Sequence, residues 1–190
     1  VGVGDIMLGT IVPSHSYLPK NDNCYLLFDS TLHILKDADI TFGNLEGVST
    51  NITDDAKKCK DPNSCYIFGM PESYVNCLVY AGFDFISTAH NHCGDFGQRG
   101  RNNTMRVLQE AGIKYAGDLS KPYAFLEKDG ILFGFCAFSP ERGNCPFNNF
   151  DEVKRIVSFL NDTCDIVIVS FHSGAEGPNA QNVTRKDEMF

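Results

Sequence analysis

Residues 87–100, STAHNHCGDFGQRG, follow the apolar run at 83–86 and constrain this chain more than any other stretch. Two imidazoles, an amide and a carboxylate fall within six residues. A strand ending in such a cluster cannot bury it dry, because each unpaired polar group costs on the order of 1 to 3 kcal/mol. The cluster must therefore sit at a strand end and face something polar. In open α/β sheets the loops at the carboxyl ends of the strands are where ligands and metals bind.

The same arrangement recurs along the chain. Residues 1–8, VGVGDIML, read as a buried strand carrying one acid, Asp5. An ionised carboxylate in an apolar strand is seldom fully buried unless paired or metal-bound. A second strand is expected at 39–42 and ends in Gly43, Asn44, Leu45, Glu46 and Gly47, with Asn44 and Glu46 able to point the same way. The third strand, at 83–88, delivers His90, Asn91, His92 and Asp95. Residues 165–171, DIVIVSF, are the most apolar strand, expected at the centre of a parallel sheet with both faces covered, and they end in His172, Ser173, Gly174, Ala175 and Glu176.

Between these strands, helical spacing predicts helices over 23–36, 71–81, 98–111 and 150–160, and alternation predicts a hairpin from 123–126 and 131–138. The pattern is that of one α/β domain spanning 1–190. Taken singly, each polar turn has a plainer reading: Asp5 as the cap of a turn, Glu46 as a solvated carboxylate in a tight turn. Together, four strands ending in Asp5, in Asn44 with Glu46, in Asn91 with His92, and in His172 with Glu176 describe one site. Carboxylate, imidazole and amide oxygen suit divalent ions of the Zn, Mn or Fe kind. Such loops could hold one or two ions, and two ions about 3.5 to 4 Å apart serve phosphoester and some amide hydrolysis. A histidine beside a ligand asparagine could then protonate a leaving group.

Charge narrows the partners. Sixteen Lys and Arg against 24 Asp and Glu leave a net charge of −8 with no basic run, which excludes nucleic acid as the expected partner. No apolar stretch approaches the roughly 20 residues of a membrane helix, so any leader or anchor is expected upstream. Eight cysteines show no CxxC pair and give no zinc ribbon. Cys77, Cys136 and Cys164 lie in apolar segments and read as small core residues. Cys59 and Cys65 bracket a polar loop where a disulfide would form in an oxidising compartment and is optional elsewhere.

GDIMLG at 4–9, FGNLEG at 42–47, the segment 88–117 and FHSGAE at 171–176 resemble, in order and over nearly the whole chain, the CapA family of capsule-synthesis proteins of the PgsA, poly-γ-glutamate type. The resemblance implies a layered α/β sandwich of the calcineurin-like metallophosphoesterase type with a dinuclear metal centre. By motif, it makes Asp5 the first metal-site acid and places Asn44 and Glu46 on the NLE turn. Asn91 and His92 fall on NNH, followed by Asp95, and His172 with Glu176 fall on HxGxE. Asn91 would then be a metal ligand, and His92 with Asp95 the catalytic pair.

Several positions depart from the family pattern. His90 stands where the family more often has asparagine, Ser173 replaces an aromatic residue, and Met7 lies where true metallophosphoesterases carry histidine. No counterpart of the later GHHPH segment occurs before Phe190, which implies a domain lacking its C-terminal segment. The expected function is that of a metal-dependent hydrolase or transferase with two Mn, Fe or Zn ions, acting on an anionic polymer or a small phosphorylated or glutamyl precursor, in the bacterial cell envelope and alongside capsule-assembly proteins. The alternative is a non-catalytic component that binds polymer on a degenerate scaffold.

Overall fold

The computed structural model describes residues 1–59, 65–175 and 182. In chain order the elements are β1 (Gly2–Ile6), α1 (Leu32–Lys36), β2 (Phe42–Leu45), β3 (Val48–Ser49), β4 (Gly69–Met70), α2 (Val75–Ala81), β5 (Phe85–Ser87), α3 (Gly97–Glu110), β6 (Lys114–Ala116), β7 (Tyr123–Lys128), β8 (Ile131–Phe138), α4 (Phe150–Thr163) and β9 (Ile166–Phe171). Strands β1, β2, β5 and β6 form one parallel sheet in the order β1-β2-β5-β6. A second sheet has the order β7-β8-β9, with β7 antiparallel and β9 parallel to β8. A two-stranded parallel ribbon, β3 with β4, lies apart.

Alternation along the strands builds four layers. Ile6, Leu45, Ile86 and Tyr115 face the helices, packing with Leu35, Leu78, Val107 and Leu108. The opposite face of that sheet, through Phe85 and Ala116, meets Phe133, Phe135 and Ala137 of β8. On its far side β8 turns Cys136 and Phe138 toward Ile156 and Leu160 of α4. Helix, sheet, sheet and helix thus stack as the layered α/β sandwich expected from sequence.

Several local expectations are corrected. The helix expected over 23–36 is broken: a 3-10 turn at Cys24–Leu27 is capped by Asn23, whose side chain accepts the Tyr25 N–H, and α1 begins only at Leu32. Thr31 there donates its hydroxyl to the Phe28 carbonyl, one of the side-chain bonds to backbone that compete with a continuous helix. Leu26, Leu27 and Ile34 are left exposed, so the apolar spacing did not mark a buried face. The second strand lies later than expected, placing Asn44 within β2 rather than in a turn. Gly43 permits this, because a Cβ there would come within 2.5 Å of Val3 and 2.7 Å of Ile6.

Among the described residues strand β1 lies at a sheet edge, and within it only Ile6 is buried, contrary to the expectation of a buried strand. The larger correction concerns β9. Among the described residues it flanks the second sheet rather than crossing its centre, and Ile166, Val169 and Phe171 remain 44%, 42% and 72% exposed. An apolar run marks a strand but carries no information on how many neighbours that strand has.

Cysteine pairing is also corrected. Cys77 is fully buried but is not a free core residue; it forms a disulfide with Cys24, and Cys59 pairs with Cys65. Cys136 is buried and Cys164 half-buried, both as free thiols. The first bridge spans 53 residues and ties the loop before α1 to α2. Closing a loop of that length restricts the unfolded chain by about 4 kcal/mol in the chain-entropy model. Replacing Cys24 and Cys77 together by alanine is expected to lower the urea unfolding free energy under oxidising conditions by about that amount. A loss below about 1 kcal/mol would mean that the bridge constrains little.

Candidate metal centre

The register of the parallel sheet places the first residues of the site. Asp5 on β1 lies opposite Asn44 on β2, and Asn44 opposite Ser87 on β5. Glu46 follows directly after β2, and Gly47 lets the chain turn there with φ +130°, where a Cβ would sit 3.1 Å from the Phe68 carbonyl. From the second sheet His172 extends the β9 ladder, its backbone N–H donating to the Phe138 carbonyl at 2.9 Å. The carboxyl ends of β1, β2, β5 and β9 therefore meet.

The Asn44 amide joins what these ends carry. Its Nδ2 donates to Asp5 Oδ1 at 2.8 Å and to Glu46 Oε2 at 3.0 Å, and lies 3.3 Å from His172 Nδ1. Asp5, Glu46 and His172 each offer one ligand atom, all within 4.8 Å of one another. Two carboxylates and an imidazole at that spacing form a group able to hold a divalent ion. Among the described residues the buried Oδ1 of Asn44 accepts no hydrogen bond, leaving an amide oxygen orphaned beside the triad. The donor set and the orphaned oxygen fit a metal.

His92 stands at the edge of this group. Its Nδ1 lies 2.7 Å from Asp95 Oδ2, and its Nε2 lies 3.9 Å from Glu46 Oε1. Asp95 is almost wholly buried and is fixed three ways: by His92, by the Phe68 backbone N–H at 2.8 Å and by Lys57 Nζ at 2.6 Å. The Phe68 ring packs on the His92 imidazole with centroids 4.1 Å apart. The imidazole is thus held in orientation from behind, with its second nitrogen turned toward Glu46. Asp95 touches the histidine and not the triad, which makes it a positioning residue.

Of the residues expected from sequence, the structure brings Asp5, Asn44, Glu46, His92 and His172 together, with Asp95 behind His92. Asn91 lines the same cleft of about 800 Å³ as Asp5, His172 and Glu141. Glu176 lies outside the described residues. Two contributors went unnamed: Lys57 and Phe68 sit in a stretch that read only as a polar loop and its end. His90, whose role was open, is fully buried with Nδ1 3.6 Å from Glu46 Oε2. Its loop is anchored by Asn144, which donates to the His90 carbonyl at 3.2 Å and accepts from Arg101 at 2.9 Å.

A layered α/β sandwich with a carboxylate and imidazole cluster at its strand ends defines the class. Residues 1–188 match the family described as bacterial capsule synthesis protein PGA_cap, and the chain belongs to that family. It is similar to the capsule biosynthesis protein CapA of Bacillus anthracis, 28% identical over 198 residues that cover 93% of this chain and 46% of that protein. It is also similar to uncharacterized protein y4uA of Sinorhizobium fredii, 33% identical over 118 residues, 62% of this chain and 24% of the relative.

Solved structures share the fold. A hypothetical protein from Thermus thermophilus aligns with a TM-score of 0.50 at 18% identity, covering 92% of this chain and 57% of its own. A putative 5'-nucleotidase from Staphylococcus aureus, solved with alpha-ketoglutarate, aligns with a TM-score of 0.50 at 14% identity, covering 95% and 38%. The chain spans less than half the length of the curated relatives it matches.

Burial, and then the neighbouring Asp5 carboxylate, hold the Glu46 carboxyl above its ordinary value, against the opposing pull of His172, His92 and the Asn44 amide. A carboxylate in that state gains from a nearby cation. His90 is driven well below its ordinary value near 6.5 by burial, reinforced by His172, His92 and Arg101. The folded protein keeps His90 neutral while the unfolded chain takes up its proton as pH falls below about 6.5. Stability linked to His90 is therefore present above that pH and lost below it, at about 1.4 kcal/mol per pH unit. In chelator, His90→Gln is expected to remove that slope from the unfolding free energy between roughly pH 5 and 6. Parallel curves for the two proteins would contradict it.

Proposed function

We propose that this chain carries the metal centre of a metal-dependent hydrolase or transferase acting on an anionic polymer, or its phosphorylated or glutamyl precursor, in capsule assembly. One observation carries the reading: Asp5, Glu46 and His172, from two sheets, converge within 4.8 Å beside a histidine backed by a buried aspartate. Asp5, Glu46 and His172 would hold an ion of the Mn, Fe or Zn class, with Asn44 and Asn91 as amide donors. Glu176 would add a carboxylate toward a second ion. Such an ion supplies positive charge to an oxyanion and polarises it for attack.

The protein's own residues supply the rest. His92 presents Nε2 toward Glu46 at the edge of the metal-ligand group and gives its proton to the departing oxygen or nitrogen of the substrate. Asp95 fixes the tautomer through Nδ1 and stabilises the imidazolium when it forms. Lys57 and the Phe68 N–H hold Asp95 in place. The cleft of about 800 Å³ beside Asp5 and His172 is large enough for a small ester or one unit of a polymer. Two disulfides accord with an oxidising, extracytoplasmic setting in the cell envelope.

The test is turnover of a phosphoester and of a γ-glutamyl amide by protein stripped with chelator and then reloaded with Mn or Zn. One of the two activities should vanish on stripping and return on reloading. His92→Ala is expected to lower kcat by about 10²- to 10⁴-fold while bound metal is retained, and His172→Ala to lose metal and activity together. Loaded protein that turns over neither compound yet binds anionic polymer would establish the non-catalytic alternative.

A further inference from the structure

One buried imidazole beside the centre has no part in the chemistry above. His90 is 2% exposed, and among the described residues its Nδ1 makes no hydrogen bond. A polar atom held dry without a partner costs on the order of 1 to 3 kcal/mol, and an ion is one of the few things that accounts for it. The nitrogen stands 3.6 Å from Glu46 Oε2, too far for a hydrogen bond. Two donor atoms that share one ion, each about 2.0 to 2.2 Å from it at octahedral to tetrahedral angles, lie roughly 2.8 to 3.6 Å apart. The gap between His90 and Glu46 falls at the upper end of that range.

The surroundings hold His90 in this position. Asn144, itself 2% exposed, donates to the His90 carbonyl and to Cys93 Sγ, both at 3.2 Å, so the backbone on either side of Asn91 and His92 is clamped. Across the site, His172 Nδ1 lies 3.9 Å from the same Glu46 oxygen, and the His90 and His172 rings stand 6.3 Å apart at 78°. Glu46 Oε2 thus faces one imidazole nitrogen from the loop after β5 and another from the end of β9. We propose that His90 is a metal ligand through Nδ1, sharing with Glu46 an ion of this centre and biasing the centre toward zinc over manganese. A neutral imidazole has a lone pair on one ring nitrogen, and nitrogen donors suit zinc and iron, whereas carboxylate and amide oxygens suit manganese. The inference rests on the reading of these strand ends as a metal centre, and it leaves His92 and Asp95 in the roles given above.

Competition titrations with zinc and with manganese, on the wild-type chain and on His90→Asn, read the preference without turnover. The variant replaces a nitrogen donor by an amide. It is expected to lose zinc affinity by more than about a hundredfold, beyond what losing a hydrogen-bond partner of a ligand costs, while manganese affinity falls by less than about tenfold. Equal losses for the two metals would overturn the bias, and no loss of either would overturn the ligand. X-ray absorption at one equivalent of zinc counts the imidazoles directly. The wild-type chain is expected to show two around the metal and His90→Asn one. A single imidazole in the wild type, a reading that needs no substitution, would leave the centre standing on His172 and overturn His90 as a ligand. A wild-type chain that retains neither metal would remove the centre and this inference together.

Discussion

Asp5 and Glu46 are two carboxylates held beside one amide, and the rest of the site depends on that contact. Like charges so close repel, and half-burial raises the cost because less water screens them. Asn44 relieves part of this by donating to both. It can do so because β1 and β2 run parallel in the register that sets Asp5 opposite Asn44, and because Gly43 lets β1 side chains close over the strand. His172 then arrives from the other sheet, which requires the two sheets to pack through Phe85, Phe135 and their neighbours. The core between the sheets and the polar cluster at their ends are thus one construction.

The histidine and aspartate pair is organised differently. Asp95 lies three residues beyond His92 in the loop after β5, and a single short contact fixes it to the ring. The partners of that nearly inaccessible carboxylate come from 27 and 38 residues away in sequence, the Phe68 N–H and the Lys57 ammonium. A buried charge is tolerated only when so paired. The loop carrying Lys57 and Phe68 therefore belongs to the site although it carries none of the residues expected to bind metal.

Much of this was legible in the sequence because strand ends announce themselves: an apolar run that breaks into His, Asn, Asp and Glu cannot be buried dry. That single argument singled out Asp5, Asn44, Glu46, His92 and His172, which the fold brings close to one another. Lys57 and Phe68 were not, since one lysine in a polar loop and one phenylalanine before a short strand have no local signature, and their role comes from long-range packing. The edge position of β9 among the described residues and the Cys24–Cys77 bridge were missed for a related reason. Apolarity records that a residue avoids water, and not which neighbour covers it. In residues 23–36 the spacing suggested a helix, but Asn23 and Thr31 gave the backbone competing hydrogen bonds.

The most direct test of the account is a crystal soaked in zinc and measured at the zinc absorption edge. The account predicts an anomalous peak between Asp5, Glu46 and His172, within about 2.2 Å of a carboxylate oxygen of each acid and of a nitrogen of the imidazole. It further predicts that the Asn44 amide no longer donates to both carboxylates. The absence of a peak there at saturating zinc, with Asn44 still bridging Asp5 and Glu46, would contradict the reading of these strand ends as a metal centre.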